Sequence, residues 1–296
     1  MFMPLPQTST HVGYPAGAVD GDATVLAVLP RETAGEWLVI TDRTPFHPLD
    51  SGWPDQPADT GQLVLGDRRL TVLDCLIGAA AEDSDELLVG EDIPVRRGEQ
   101  GWRWLVLHVV ESDADLTDLA GAPAGLQVDA RRRRELSAGH TGCHLMALAL
   151  NAVLAGRWRK EVRTDGLGAP DFDALAITSS RIHPGGSTDT YRIGKSLRKK
   201  GFSTDGLAGE LPELSERVNG RLAGWLATDA PVELAAPGPE LTARRTWSCL
   251  LPDGTPTIPC GGTHLRRLGE LSALTVRLEL AEDGSTLVAN TIAELA

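Results

Sequence analysis

The sequence predicts an α+β fold: a small antiparallel β-barrel, then a second domain with helices laid on an antiparallel sheet. Two observations carry this. The first is a series of short β-branched and Leu-rich runs: Ala23–Leu29, Glu36–Thr41, Gly61–Leu65, Arg69–Cys75 and Trp104–Val110, separated by Gly, Pro and Asp. The second is a change of period after the small-residue stretch Gly121-Ala-Pro-Ala-Gly125, beyond which helical patterns alternate with strand-like ones. That stretch is read as the linker, giving domains 1–125 and 126–296.

Taken in order, residues 1 to about 22 are rich in Pro, Gly, Ser and Thr without a period, and are expected to be a loosely held lead-in. Between the second and third runs lies Thr44-Pro-Phe-His-Pro48 followed by Leu49 to Gly61, a loop stiffened by prolines that fix φ. The acidic stretch 78–99 reads as a solvated hairpin or strand edge. In the second domain Asp129 is placed as the N-cap of a helix running through His140 and His144 into the apolar residues 145–154. Residues 161–178 read as loop and strand. The apolar positions 211, 214, 218, 222, 225 and 226 give a helical stripe for packing on a sheet, and Leu274–Leu280 and Ser285–Asn290 close the chain as antiparallel strands.

Chain length and 42% hydrophobic content allow a substantial core. Residues 1–11 lack a signal-peptide pattern and no run reaches the length of a membrane span. The four cysteines, Cys75, Cys143, Cys249 and Cys260, are too scattered for a disulfide framework. A cytoplasmic protein with no membrane partner is therefore expected. The net charge of −13 argues against a nucleic-acid partner until its distribution is read. Residues 1–125 hold 7 basic against 21 acidic groups, whereas residues 126–204 hold 14 against 7. Phosphates can be met in the second segment, around Arg131, Arg134, Lys195, Arg198, Lys199 and Lys200, although a solvated basic surface gives the same pattern.

Two clusters bear chemistry. His140 and His144, four residues apart, share one face of a helix. Pro259-Cys260-Gly-Gly-Thr-His264 adds a thiol and a third imidazole around a Gly-Gly turn expected to let the backbone fold tightly. His, His, Cys and His form a donor set that suits one tetrahedral zinc ion. Cys143 points about 100° away from its neighbour His144 and is assigned to packing. His183, before a proline in a turn, is taken as structural or exposed.

His140-Thr-Gly-Cys-His144 with Pro259-Cys260-Gly-Gly-Thr-His264 closely resembles the paired metal motifs of the AlaX family of alanyl-tRNA editing proteins, which recur in the editing domain of alanyl-tRNA synthetase. The resemblance implies a zinc-dependent, ATP-independent hydrolase that removes seryl or glycyl groups from the 3′ acceptor end of tRNA(Ala). No aminoacylation segment is apparent, so a free-standing protein acting in trans is expected. Within that chemistry Thr141 and Thr263 are candidates for hydroxyls that meet the amino acid or water, and the amides of Gly261 and Gly262 for a developing oxyanion. Thr44–Pro48 and Gln56-Pro-Ala-Asp-Thr-Gly61 also match the family's loop near the editing pocket, which brings in Phe46, His47 and Trp53. The family's central glycines are replaced here by Leu49–Asp55. Trp53 either stacks on a terminal adenine or packs the barrel. Two other readings stay open: a non-catalytic zinc module that binds aminoacyl-tRNA or another RNA, and a metal hydrolase of a small ester or amide. Neither the oligomeric state nor the rejected amino acid follows from the sequence.

Overall fold

The computed structural model describes residues 5–296. The described chain divides into two compact units, residues 5–133 with 235–245 and 261–263, and residues 134–234 with 246–260 and 264–296.

The first unit is a closed antiparallel barrel of six strands, β1 (Asp20–Pro30), β2 (Glu36–Thr41), β3 (Gly61–Leu65), β4 (Arg68–Ala81), β5 (Trp102–Glu111) and β6 (Pro123–Val128). Their order is β3-β6-β1-β2-β5-β4, and β4 pairs back onto β3 to close the ring. Closure follows from alternation. Val25, Val39, Leu63, Val72, Val106 and Leu126 point inward and form one buried cluster. At the seam between β3 and β6 a Cβ on Gly61 would stand 2.1 Å from the Gln127 carbonyl oxygen, so only glycine lets these two backbones meet.

Two expectations are corrected here. Residues 123–125 are strand rather than linker: Ala23 pairs with Ala124, and Leu63 with Leu126. Ala-Pro-Ala-Gly lacks the branched residues that mark a strand, and its pairing on both sides supplies what propensity does not. The lead-in, where described, is held. Leu5, Val12 and Tyr14 are buried, His11 and Val12 pair in parallel with Arg43 and Thr44, and the Thr10 amide donates to the Trp104 carbonyl. Residues 1–4 lie outside the described residues.

The second unit is built on α1 (Ala130–Val153), which begins in the first unit and continues into this one. Asp129 caps it as expected, its Oδ1 accepting from the Arg132 amide at 3.0 Å. The stretch read as loop and strand contains instead a short helix, α2 (Phe172–Ala176), which Asp171 caps, before β7 (Ile177–His183) and β8 (Gly186–Arg192). Then follow α3 (Lys195–Lys199), α4 (Leu207–Leu226), β9 (Val232–Ala235), β10 (Thr246–Cys249), β11 (Thr257–Pro259), β12 (Leu271–Leu280) and β13 (Thr286–Leu295). Four of these strands form an antiparallel sheet in the order β7-β8-β13-β12, and β9, β10 and β11 form a second, small sheet. Leu274, Val276, Leu278, Leu287, Ala289 and Ala293 project from one face of the larger sheet into a core shared with α1 and with the stripe Leu214, Val218, Leu222 and Trp225 of α4.

Candidate metal centre

The site starts from how closely α1 lies on its sheet. A Cβ on Gly139 would fall 2.4 Å from the Gly186 carbonyl oxygen, and one on Gly142 would fall 2.8 Å from Leu274 Cδ1. Glycine at these two positions brings the helix down onto the strands and fixes its rotation. His140 and His144 then sit on one side of α1, their rings stacked with centroids 5.0 Å apart. The strand pair β10–β11 delivers Cys260 to them. Its Sγ lies 3.4 Å from His140 Nε2 and 3.2 Å from His264 Nε2.

One donor atom from each of His140, His144, Cys260 and His264 lies within 4.8 Å of all the others, and the cluster could hold a metal ion. With metal–sulfur and metal–nitrogen bonds of about 2.3 and 2.0 Å, tetrahedral ligation sets neighbouring N and S atoms roughly 3.5 Å apart, close to the two Cys260 distances. The donor set fits a bound ion in spacing as well as in chemistry.

What surrounds these ligands orients them. The Trp247 indole, fully buried on β10, lies against the His144 ring at 4.9 Å between centroids and 17° between planes. Burial pushes His144 down to about 4, so it is a neutral imidazole at physiological pH, the form that ligates. Thr141 is fully buried behind His264. Its Oγ1 lies 3.3 Å from His264 Nδ1 and accepts from the Leu265 amide at 3.1 Å.

The residues between the last two ligands belong to the first unit. Thr263 is buried and makes a two-point contact with Gln56: its amide donates to Gln56 Oε1 at 2.9 Å, and Gln56 Nε2 donates to its Oγ1 at 3.0 Å. Neither Gly261 nor Gly262 has a positive φ, and a Cβ on Gly261 would meet only Arg97 Nη1 at 4.0 Å. The expectation that this pair makes a tight turn through glycine's conformational freedom is therefore corrected. Gly261 is exposed and Gly262 buried.

In the proline-rich loop, Phe46 is a core residue, 0% exposed and edge-on to His108 at 5.2 Å between centroids. His47 is also buried, with its amide on Asp59 Oδ2 at 2.6 Å, and burial pushes its imidazole down to about 4. Trp53 is 47% exposed. In the segment that replaces the family's central glycines, Leu49 packs on the barrel cluster and its amide donates to the Cys75 carbonyl, while Asp50 pairs with Arg97 at 2.8 Å.

The basic candidates separate. Arg131 and Arg134 are exposed on the first turns of α1, with Arg134 3.8 Å from Glu270. Arg133, within the same run of four arginines, is buried on Asp59 and on the Pro45 carbonyl. Lys195, Arg198, Lys199 and Lys200 are exposed on and just after α3. Cys143 faces the sheet, its Sγ 3.3 Å from Asp189 Oδ1, and burial pushes its thiol well above the usual range, which removes it as a nucleophile. Sequence reasoning passed over Trp247, Gln56 and Arg133. Only the register of Gln56 within the loop motif could have flagged any of them.

The chain combines a closed six-stranded barrel with an α+β unit, and carries on a helix and a strand-end loop a four-donor cluster that could hold a metal ion. No family model matches the chain. It is similar to the alanine–tRNA ligases of Halorubrum lacusprofundi (26% identity over 285 residues, 96% of this chain and 25% of the ligase), Myxococcus xanthus (24% over 295 residues, 92% and 26%) and Salinibacter ruber (31% over 167 residues, 56% and 14%). The chain spans about a quarter of the length of the ligases it matches end to end. It is a homologue of that segment of the alanine–tRNA ligases, in keeping with an AlaX-like editing domain.

Proposed function

We propose that this chain is a cytoplasmic, ATP-independent deacylase that hydrolyses the ester of seryl- or glycyl-tRNA(Ala) in trans, with zinc held by His140, His144, Cys260 and His264. One observation carries the reading: those four donors converge in a chain similar along nearly its whole length to alanine–tRNA ligases. Three imidazoles and one thiolate suit zinc over harder cations. When bound, zinc supplies Lewis acidity toward the ester carbonyl or a water.

The chain's own residues do the rest. Trp247 fixes the plane of His144. Thr141, inside α1, receives the Nδ1 proton of His264 and so sets Nε2 as the donor, which makes it a positioning residue rather than one that meets substrate. Gln56 holds Thr263, whose hydroxyl is assigned to the amino-acid side chain. The exposed backbone at Gly261, with Gly262, is assigned to the carbonyl oxygen as charge develops on it. An ester is labile enough that placing its carbonyl and one water accounts for much of the acceleration. Arg131, Arg134 and the cations of residues 195–200 meet tRNA phosphates, and Trp53 offers a face to the terminal adenine.

The test is deacylation of Ser-tRNA(Ala), Gly-tRNA(Ala) and Ala-tRNA(Ala) by the purified chain. Rapid loss of the seryl or glycyl ester with the alanyl ester spared is expected. Tight tRNA binding without turnover would make this a zinc-stabilised RNA-binding module instead. A Thr263→Val variant that keeps its metal and its activity on the seryl ester would remove the role given to Thr263.

A further inference from the structure

A cleft of about 800 Å³ opens at the end of the larger sheet of the second unit, where the end of α2, the start of β7, the end of β8, the body of α3 and the start of β13 converge. Its walls carry Arg192, Lys195 and Arg198 together with the hydroxyl-bearing Thr178, Thr190 and Thr286, and no carboxylate lines it among the described residues. Arg192, Lys195 and Arg198 are all exposed. None of them, nor Lys199 or Lys200 beside them, forms an ion pair among the described residues. Several arginines elsewhere in this unit are paired, Arg157 with Glu210, Arg163 with Asp171 and Arg221 with Asp253. In a chain with a net charge of −13, five unpaired cations at one sheet end are a local inversion of the overall field.

The cleft is separate from the metal centre. Along β8, side chains alternate between faces. Asp189 and Tyr191 point at α1, touching Cys143 and Met146, while Thr190 and Arg192 point the other way. His140, His144, Cys260 and His264 do not line the cleft, whose walls take Thr190 and Arg192 from the outer side of β8 and Ala176, Ile193 and Leu197 from the edge of the core.

We infer that this cleft is a docking groove for the phosphodiester backbone of an RNA strand, gripping the body of a tRNA at a distance from its esterified end. Unpaired cations neutralise phosphates, and hydroxyls such as that of Thr190 donate to phosphate oxygens and 2′-hydroxyls without reading bases, while the Thr178 hydroxyl already donates to the Thr190 carbonyl; the contact is indifferent to sequence. The choice of tRNA as the RNA rests on the deacylase reading; the groove itself does not.

The experiment measures binding of uncharged tRNA(Ala) to the full chain as a function of salt, for wild type, for Arg192→Ala/Lys195→Ala/Arg198→Ala and for a charge-keeping Arg192→Lys/Lys195→Arg/Arg198→Lys. Melting temperature and bound metal are read on each. The alanine variant is expected to keep its fold and metal, to bind at least about tenfold more weakly near physiological salt, and to show a log–log salt slope shallower by about 2 to 3. The charge-keeping variant retains most of the affinity. Arg277→Ala, which removes a cation already paired with Glu279, leaves binding unchanged. An alanine variant with wild-type affinity and slope overturns the proposal. So does displacement of tRNA by millimolar inorganic phosphate at constant ionic strength, which would make the cleft a small-anion pocket. Because the probe carries no ester, the outcome is independent of deacylation: wild-type protein that hydrolyses no ester but shows this salt behaviour refutes the deacylase and keeps the groove.

Discussion

The indole of Trp247 lies nearly parallel to the imidazole of His144, 4.9 Å away, and its burial in the second unit leaves that histidine little freedom to turn. Replacing Trp247 with Leu removes the flat surface and opens a cavity. Metal affinity is expected to fall about tenfold or more, as for other losses of support behind a ligand, with some thermal destabilisation. Phe at this position keeps much of the stack and most of the affinity. Competition with a chromophoric chelator measures both; equal affinity in the Leu variant would remove the supporting role.

Thr141 gives an independent check on the same ligand set, from behind His264. A Thr141→Val variant keeps the volume and loses the hydroxyl, and is expected to bind metal about tenfold more weakly. Thr141→Ser restores it. If Thr141→Val instead kept full metal occupancy and affinity while losing turnover, the hydroxyl would belong to the substrate.

In the first unit Arg133 and Asp59 form a buried pair, with side-chain exposures of 6% and 1%. Breaking it by Arg133→Met strands a buried carboxylate, at a cost of about 3 to 5 kcal/mol. A melting transition lowered by on the order of 10 °C is expected by scanning fluorimetry. A change within error would show that water or another cation takes over.

His108 gives a pH signature. It is fully buried in the barrel, with Nδ1 2.9 Å from the Val39 carbonyl and Nε2 2.8 Å from Thr44 Oγ1, and burial pushes it down to about 4. The ring therefore donates from Nδ1 and accepts at Nε2. Between pH 6.5 and 4 the unfolded chain binds a proton that the folded chain refuses, so stability is full above 6.5 and is lost as pH falls toward 4. The loss is about 3 kcal/mol for this one group. In a His108→Gln variant the stability difference from wild type should shrink across that window by a similar amount; a pH-independent difference would contradict the assignment.

What could be read from the chain and what could not divide along physical lines. The four candidate ligands could be picked out because i,i+4 spacing on a helix and a short Cys-to-His interval are local constraints, and the fold gathers those four residues into a cluster that could hold a metal ion. Five of the barrel strands were legible from branched, alternating runs. The sixth, Pro123–Val128, was not, because Ala-Pro-Ala-Gly takes its stability from pairing on both edges. In Arg131–Arg134 four identical residues cannot be told apart by type, and only the path of α1 decides that Arg133 is buried while Arg131 and Arg134 are exposed. Trp247 sat in a short strand with no neighbour in sequence to connect it to His144.

If ester hydrolysis depends on an ion held by His140, His144, Cys260 and His264, metal and activity are lost together. The most direct measurement determines metal content and Ser-tRNA(Ala) deacylation on one preparation of wild type and of Cys260→Ala, with far-UV circular dichroism confirming the fold. About one zinc per chain and turnover are expected in the wild type, with both lost in the variant and the fold retained. A folded Cys260→Ala protein without metal that deacylates at the wild-type rate would contradict that dependence.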